Sequence, residues 1–180
     1  MIEPGIVLWL MGPTSSGKTT LGTALVDRLR AMNCPALLLD GDEMRALIGP
    51  DQGFSPDDRL RTVRALAQLA DKTARAGLLV VVAALTAYPD ARAYVRNTVA
   101  NLAVGYVECS IDACAERDPK GLYERAAKGE IGTLVGVHDA YDPPDAPDIV
   151  LNTESESVEA LVNRLVAFLA DKGLKPGRAP

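Results

Sequence analysis

The chain predicts an α/β fold: a parallel sheet of about five strands with helices on both faces. Three observations carry that prediction. Short, continuously apolar runs alternate with stretches whose apolar residues recur at helical spacing. Residues with chemistry to offer cluster just after the apolar runs, where open α/β sheets hold their ligands. The first run passes through a glycine-rich turn straight into a helix.

Ile6 to Met11 contains no polar residue, the pattern of a strand buried on both faces. Thr19 to Arg30 then places Leu21, Leu25 and Leu29 on one helical face. Ala36 to Leu39 reads as a second strand ending in Asp40, Gly41 and Asp42. Arg59 to Ala76 carries Leu60, Val63, Leu66, Leu69 and Ala70 at helical intervals and stops at Gly77. Leu78 to Leu85 is the most apolar strand, with Thr86 and Tyr88 just beyond it. Asp90 to Asn101 reads as helix and Val104 to Cys109 as strand, after which Asp112 is expected to cap a short helix to Arg117. Ile149 to Leu151 is a last short strand and Val158 to Leu169 a closing helix. No repeat or linker interrupts residues 1–172, which read as one domain, and the Gly- and Pro-containing tail 173–180 is expected to be flexible.

Composition narrows the function classes. At 180 residues and 48% hydrophobic, the chain can bury roughly two-thirds of its unfolded surface. A net charge of −5 leaves no basic stripe for a nucleic-acid partner. Cys34, Cys109 and Cys114 are odd in number and lack CxxC spacing, so neither a zinc site nor a disulfide framework is expected. No apolar stretch reaches the roughly 18 residues that span a bilayer. The start lacks the pattern of a signal peptide. The expectation is a cytoplasmic protein with no membrane partner.

Gly12-Pro-Thr-Ser-Ser-Gly-Lys-Thr19 fits GxxxxGK[ST] in full, between a buried strand and a helix. The glycines let backbone N–H groups wrap an anion, and the helix turns its positive end to the same point. Gly12, Ser15, Ser16, Gly17, Lys18, Thr19 and Thr20 are therefore the expected ATP cradle. Lys18 would bridge the β- and γ-phosphates, and the Thr19 hydroxyl would hold Mg²⁺. This is a P-loop NTPase fold. No NKxD guanine-reading motif accompanies it, and the chain is short for a motor core.

The remaining motifs resemble the adenylylsulfate kinases, from about Ile6 to Phe168. The DGDNxR segment of that family matches Asp40-Gly-Asp-Glu-Met-Arg45, and GFSxxDRxENxRR matches Gly53 to Ala65. SPYRxxR is recognisable in Thr86 to Arg92, and RDPKGLYxxAxxGEI is nearly complete from Arg117 to Ile131. The stretch FTGIxxxYExP corresponds to Leu134 to Pro144. The resemblance implies transfer of the ATP γ-phosphate to the ribose 3′-hydroxyl of adenylyl sulfate, in a family that is often dimeric.

It also implies roles. Asp40 or Asp42 would orient the acceptor hydroxyl and bind Mg²⁺ through water, with Asp40 beside Thr19 as the metal pair; a helix cap is the plainer use of either acid. Lys18, Lys120, Asp40 and Asp42 would be the catalytic set. Arg45 and Arg59 would hold the acceptor's phosphate and sulfate oxygens, the alternative being solvated helix faces. Phe54 would stack on the acceptor base, or else pack in the core. Thr62 and Leu134 fall at further acceptor positions. Arg117 and Lys120 would border a mobile lid, about 118–144, with Arg117 also on the ATP and Gly121, Gly129, Gly132 and Gly136 as its joints. The single histidine, His138, reads as exposed lid rather than catalyst.

Departures from the family pattern gather on the acceptor side. Glu43 replaces an Asn, Arg61 and Thr62 replace a Glu-Asn pair, and Ala65 and Pro89 replace arginines. Leu134 stands where the family has a second aromatic, a loss of stacking worth on the order of 1 kcal/mol. Two alternatives stay open: a kinase for another nucleotide or a small alcohol, and a non-catalytic ATP-binding module.

Overall fold

The computed structural model describes residues 4–49 and 53–174. Twelve elements follow one another: β1 (Val7–Met11), α1 (Lys18–Ala31), β2 (Ala36–Asp40), α2 (Gly41–Ile48), α3 (Pro56–Arg75), β3 (Leu79–Ala83), α4 (Pro89–Thr98), β4 (Leu102–Glu108), α5 (Ile111–Arg117), α6 (Leu122–Ala127), β5 (Ile149–Asn152) and α7 (Val158–Asp171). The five strands form one sheet in the order β2-β3-β1-β4-β5, and every pairing is parallel. The predicted α/β architecture with five strands is what folds.

Strand periodicity divides the core. Leu8 and Leu10 of β1 and Val81 of β3 point to one face, where Leu21, Leu25 and Leu29 of α1 and Leu161, Leu165 and Leu169 of α7 cover them. Val7, Trp9 and Met11 with Val80 and Val82 point to the other, against Val63, Leu66 and Ala70 of α3 and Val95 of α4. Truncating any of these large side chains to Ala would cost about 2–5 kcal/mol. With β1 central and crossovers leaving its neighbours on opposite faces, a crevice opens at the carboxyl ends of β1 and β3.

Several boundaries differ from the sequence reading, each for a local reason. Helix α3 starts at Pro56, because Ser55 caps the Asp58 N–H and the proline fits the first turn. Leu69 lies off its buried stripe and is 40% exposed. The cap of α5 is Ser110, whose side chain accepts from the Ala113 N–H, and not Asp112. Helices α2 and α6 were not anticipated; they are eight and six residues long, and α2 buries no side chain fully. Of the expected tail, 175–180 lies outside the described residues. Among the described residues no helix is long and apolar enough to cross a membrane.

Candidate active site

The phosphate-loop sequence forms a tight arch between β1 and α1. A Cβ on Gly12 would sit 2.5 Å from the Val107 carbonyl oxygen and 2.8 Å from Ser16 Oγ, so only glycine fits. Ser15 takes a left-handed φ of 65°, rare for a residue with a side chain, and Gly17 caps α1 at φ 97°. Lys18 Nζ folds back to donate to the carbonyls of Gly12 (3.0 Å) and Pro13 (2.6 Å). Burial pulls the Lys18 ammonium down to about 8, partly offset by the acids around it. The Ser15 and Ser16 hydroxyls are buried without a partner.

At the tip of β2 one carboxylate serves two masters. Asp40 Oδ2 accepts from Thr19 Oγ1 at 2.7 Å. Its Oδ1 accepts from the N–H groups of Asp42 (2.8 Å) and Glu43 (3.4 Å), which makes it the cap of α2. The helix-cap reading of Asp40 is realised, and the same carboxylate lies against Thr19. Asp42 is exposed and pairs with Lys120, 78 residues away. Exposed pairs add less than about 1 kcal/mol, so this contact matters for position rather than stability.

The far end of the crevice is built by side chains. The guanidinium of Arg45 lies 4.5 Å over the Phe54 ring and that of Arg59 lies 5.7 Å from its centroid. Phe54 is 49% exposed, which excludes the core-packing alternative. Arg45 donates to the Gly53 carbonyl, while its buried Nε has no partner. Arg59 holds the carbonyls of Phe54 and Thr133, each at 3.0 Å. Burial lowers both guanidinium pKa values, and the Arg45 charge lowers that of Arg59 further. Two desolvated cations beside an open ring make a seat for an anion on an aromatic body. Thr62 is buried and donates to the Asp58 carbonyl at 3.1 Å. Leu134 is buried with Cys109, Cys114, Tyr123 and Ala126 in a small third cluster.

These residues share one cleft of about 850 Å³ along the carboxyl edge of the sheet, near the top of the range for small-molecule sites. It is lined by all of the anticipated site residues except Gly12 and Ser16, which are buried behind the arch. Arg117 reaches it from the end of α5 and donates to Thr153 Oγ1 (3.0 Å) and the Thr153 carbonyl (2.8 Å).

Sequence reasoning missed the ties that hold the 118–146 segment over this cleft. Arg92 donates to the carbonyls of Thr86 (2.9 Å), Pro143 (3.0 Å) and Asp142. Tyr88 donates to Asp139 at 3.0 Å, and Tyr123 donates to the Thr14 carbonyl at 3.0 Å. Arg92 sits in a segment already notable in the sequence, but nothing in one dimension pairs it with residues 50 positions later. His138 is exposed, as expected, and accepts from the Leu134 N–H through Nδ1.

Comparison with known proteins decides the family. The family profile described as adenylylsulphate kinase matches residues 4–152. The chain belongs to the adenylylsulphate kinase family. The adenylyl-sulfate kinase of Oceanobacillus iheyensis is 39% identical over 168 residues, covering 92% of this chain and 84% of the relative. A probable adenylyl-sulfate kinase of Aeropyrum pernix is also 39% identical, over 93% and 94% of the two chains. Among solved structures, the Mycobacterium tuberculosis APS kinase CysC in complex with AMPPNP and APS superposes with a TM-score of 0.89 at 30% identity, covering 93% of this chain and 98% of that one. The adenylylsulphate kinase match covers both ends of the cleft, from the arch after β1 to the residues that close β5.

Proposed function

We propose that this chain is an ATP-dependent phosphotransferase that moves the γ-phosphate of ATP onto the ribose 3′-hydroxyl of adenylyl sulfate, giving 3′-phosphoadenylyl sulfate. One observation carries the reading. An arch of backbone amides faces, across two carboxylates, a pair of guanidinium groups gathered around a half-open phenyl ring. A triphosphate fits the first, and a nucleotide bearing a second anionic group fits the other.

In this reading the Ser15, Gly17, Lys18, Thr19 and Thr20 end of the cleft holds the triphosphate, and Arg117 flanks its nucleoside. Arg45 and Arg59 clamp the acceptor's anionic bridge, while Phe54 stacks under its base and Thr62 and Leu134 bound the pocket. Asp40 has both oxygens engaged, whereas Asp42 has one oxygen on Lys120, so Asp42 is the carboxylate that turns toward the acceptor hydroxyl and holds its proton. Lys120, already on Asp42, lies where charge builds on the transferring group. The segment 118–144 acts as the lid that excludes water.

The donor set suits Mg²⁺: a hydroxyl and a carboxylate oxygen 2.7 Å apart are hard ligands, and this ion completes its shell with water and phosphate oxygens. Thr19 would bind it directly and Asp40 through water, and bound Mg²⁺ supplies neutralisation of phosphate charge. The same reading carries a cytoplasmic setting and a homodimer, the latter measurable by sedimentation of the intact chain.

Leu134 supports a second reading with another acceptor, because its burial in the third cluster leaves Phe54 and Tyr88 as the aromatic residues lining the cleft. ADP release with adenylyl sulfate, cytidine nucleotides and small alcohols as acceptors separates the readings. Adenylyl sulfate should give the fastest turnover and a 3′-phosphorylated product. Turnover with another acceptor and none with adenylyl sulfate replaces the first reading with the second; no turnover with any acceptor leaves an ATP-binding module.

A further inference from the structure

A named donor holds most carbonyls of the phosphate arch. Lys18 takes Gly12 and Pro13, Tyr123 takes Thr14 at 3.0 Å, and Thr153 Oγ1 takes Ser16 at 2.9 Å. An oxygen turned to a bound phosphate would meet it with like charge, so keeping these oxygens on other donors favours anion binding. The Lys18 ammonium has three N–H donors, so it can keep these carbonyls and still offer one to a phosphate, and the Ser16 N–H also holds the Pro13 carbonyl at 3.2 Å. Among the described residues, Tyr123 and Thr153 are the other side chains that hold carbonyls of the arch.

The tyrosine has the more demanding task. The Thr14 carbonyl and the φ of Ser15 belong to one peptide plane, and Ser15 is held at φ 65°. Relaxation of Ser15 to ordinary backbone would swing that plane and carry the carbonyl with it. The phenol is well placed to prevent this. Its ring is buried with Cys109, Cys114 and Leu134, and α6 is fixed by the Asp118 carboxylate on the N–H groups of Leu122 (2.8 Å) and Glu124 (3.0 Å). Burial also raises the phenol pKa, so the donor proton is retained across the physiological range.

We propose that Tyr123 is a positioning residue for the donor nucleotide: from the 118–144 segment it holds the Thr14–Ser15 peptide in the orientation that accepts phosphate. The proposal rests on the reading of the arch as a triphosphate site. It makes donor affinity depend on the segment that covers the acceptor.

The test uses the full chain with Tyr123→Phe, which removes the hydroxyl and keeps the ring. Calorimetric titration with MgATP, without acceptor, should show affinity weakened by roughly tenfold, the scale of one lost hydrogen bond to a strained peptide. In turnover the KM for ATP should rise while the KM for the acceptor holds. Ile111→Ala loosens the same apolar cluster without touching the hydroxyl, and should lower the melting temperature with ATP affinity unchanged. Unaltered ATP affinity in Tyr123→Phe overturns the proposal, as does an equal loss in both variants, which would make the effect one of packing. Wild-type protein that binds no ATP is a separate result, and it removes the functional reading itself.

Discussion

The two ends of the cleft are made of different material. The arch end is backbone, bent between a fully buried strand and a 14-residue helix, with its carbonyls held by side-chain donors. The acceptor end is side chains, two arginines and an exposed phenyl, mounted on a short surface helix and the start of a long one. Backbone geometry tolerates almost no substitution, whereas side-chain chemistry can be exchanged one group at a time. The departures from the family pattern fall where the second kind of construction permits them.

The sharpest way to break that contrast is Lys18→Ala. It should lower turnover by about 10³-fold or more, since it removes the mobile charge from the backbone cradle. ADP release under saturating substrates measures it, and surviving turnover would mean that the arch is not the donor site. Next come Arg59→Ala and Arg45→Ala. Each should raise the acceptor KM by about 10- to 100-fold, the scale of a charge-assisted bond, with the ATP KM nearly unchanged. A matched rise in the ATP KM would show the two ends to be one site.

A smaller effect follows from acidity. Lys18 is pulled down to about 8 by burial, and a bound phosphate favours the ammonium. ATP affinity should therefore fall by up to about tenfold from pH 7 to pH 9. For folding, the sign runs the other way. A lysine whose folded pKa lies below its unfolded value of 10.5 imposes its penalty in full below about 8. The penalty is relieved as pH climbs toward 10.5, so nucleotide-free wild type should gain stability relative to Lys18→Met across that interval. Thermal melts of the two proteins at pH 7.5 and 9.5 measure the difference. Smallest of all, Phe54→Leu should weaken the acceptor by about fivefold through lost stacking while changing folding stability by less than about 0.5 kcal/mol, because the ring is half exposed.

The contrast also explains what could be read in one dimension. Apolar runs announce buried strands directly, and the glycine and lysine spacing of the arch is a backbone requirement written into adjacent residues. Helix α2 escaped because it buries no side chain fully and opens on glycine, although Asp40 followed by Asp42 and Glu43 was a usable start signal. The start of α3 was equally available in Ser55-Pro56. The ties of Arg92, Tyr88 and Tyr123 had no such signal, because each joins residues 50 or more positions apart through a carbonyl or a lone carboxylate.

Asp40 has a consequence for how the two substrates communicate. One of its oxygens accepts from the Thr19 hydroxyl, and the other anchors the helix that bears Asp42 and Arg45. Under the proposed function, a rearrangement of Thr19 on loading the donor would reach the helix assigned to the acceptor. Thermodynamic reciprocity then requires the acceptor to alter donor affinity by the same factor. Through that one carboxylate, the affinity for each nucleotide would depend on whether the other is bound.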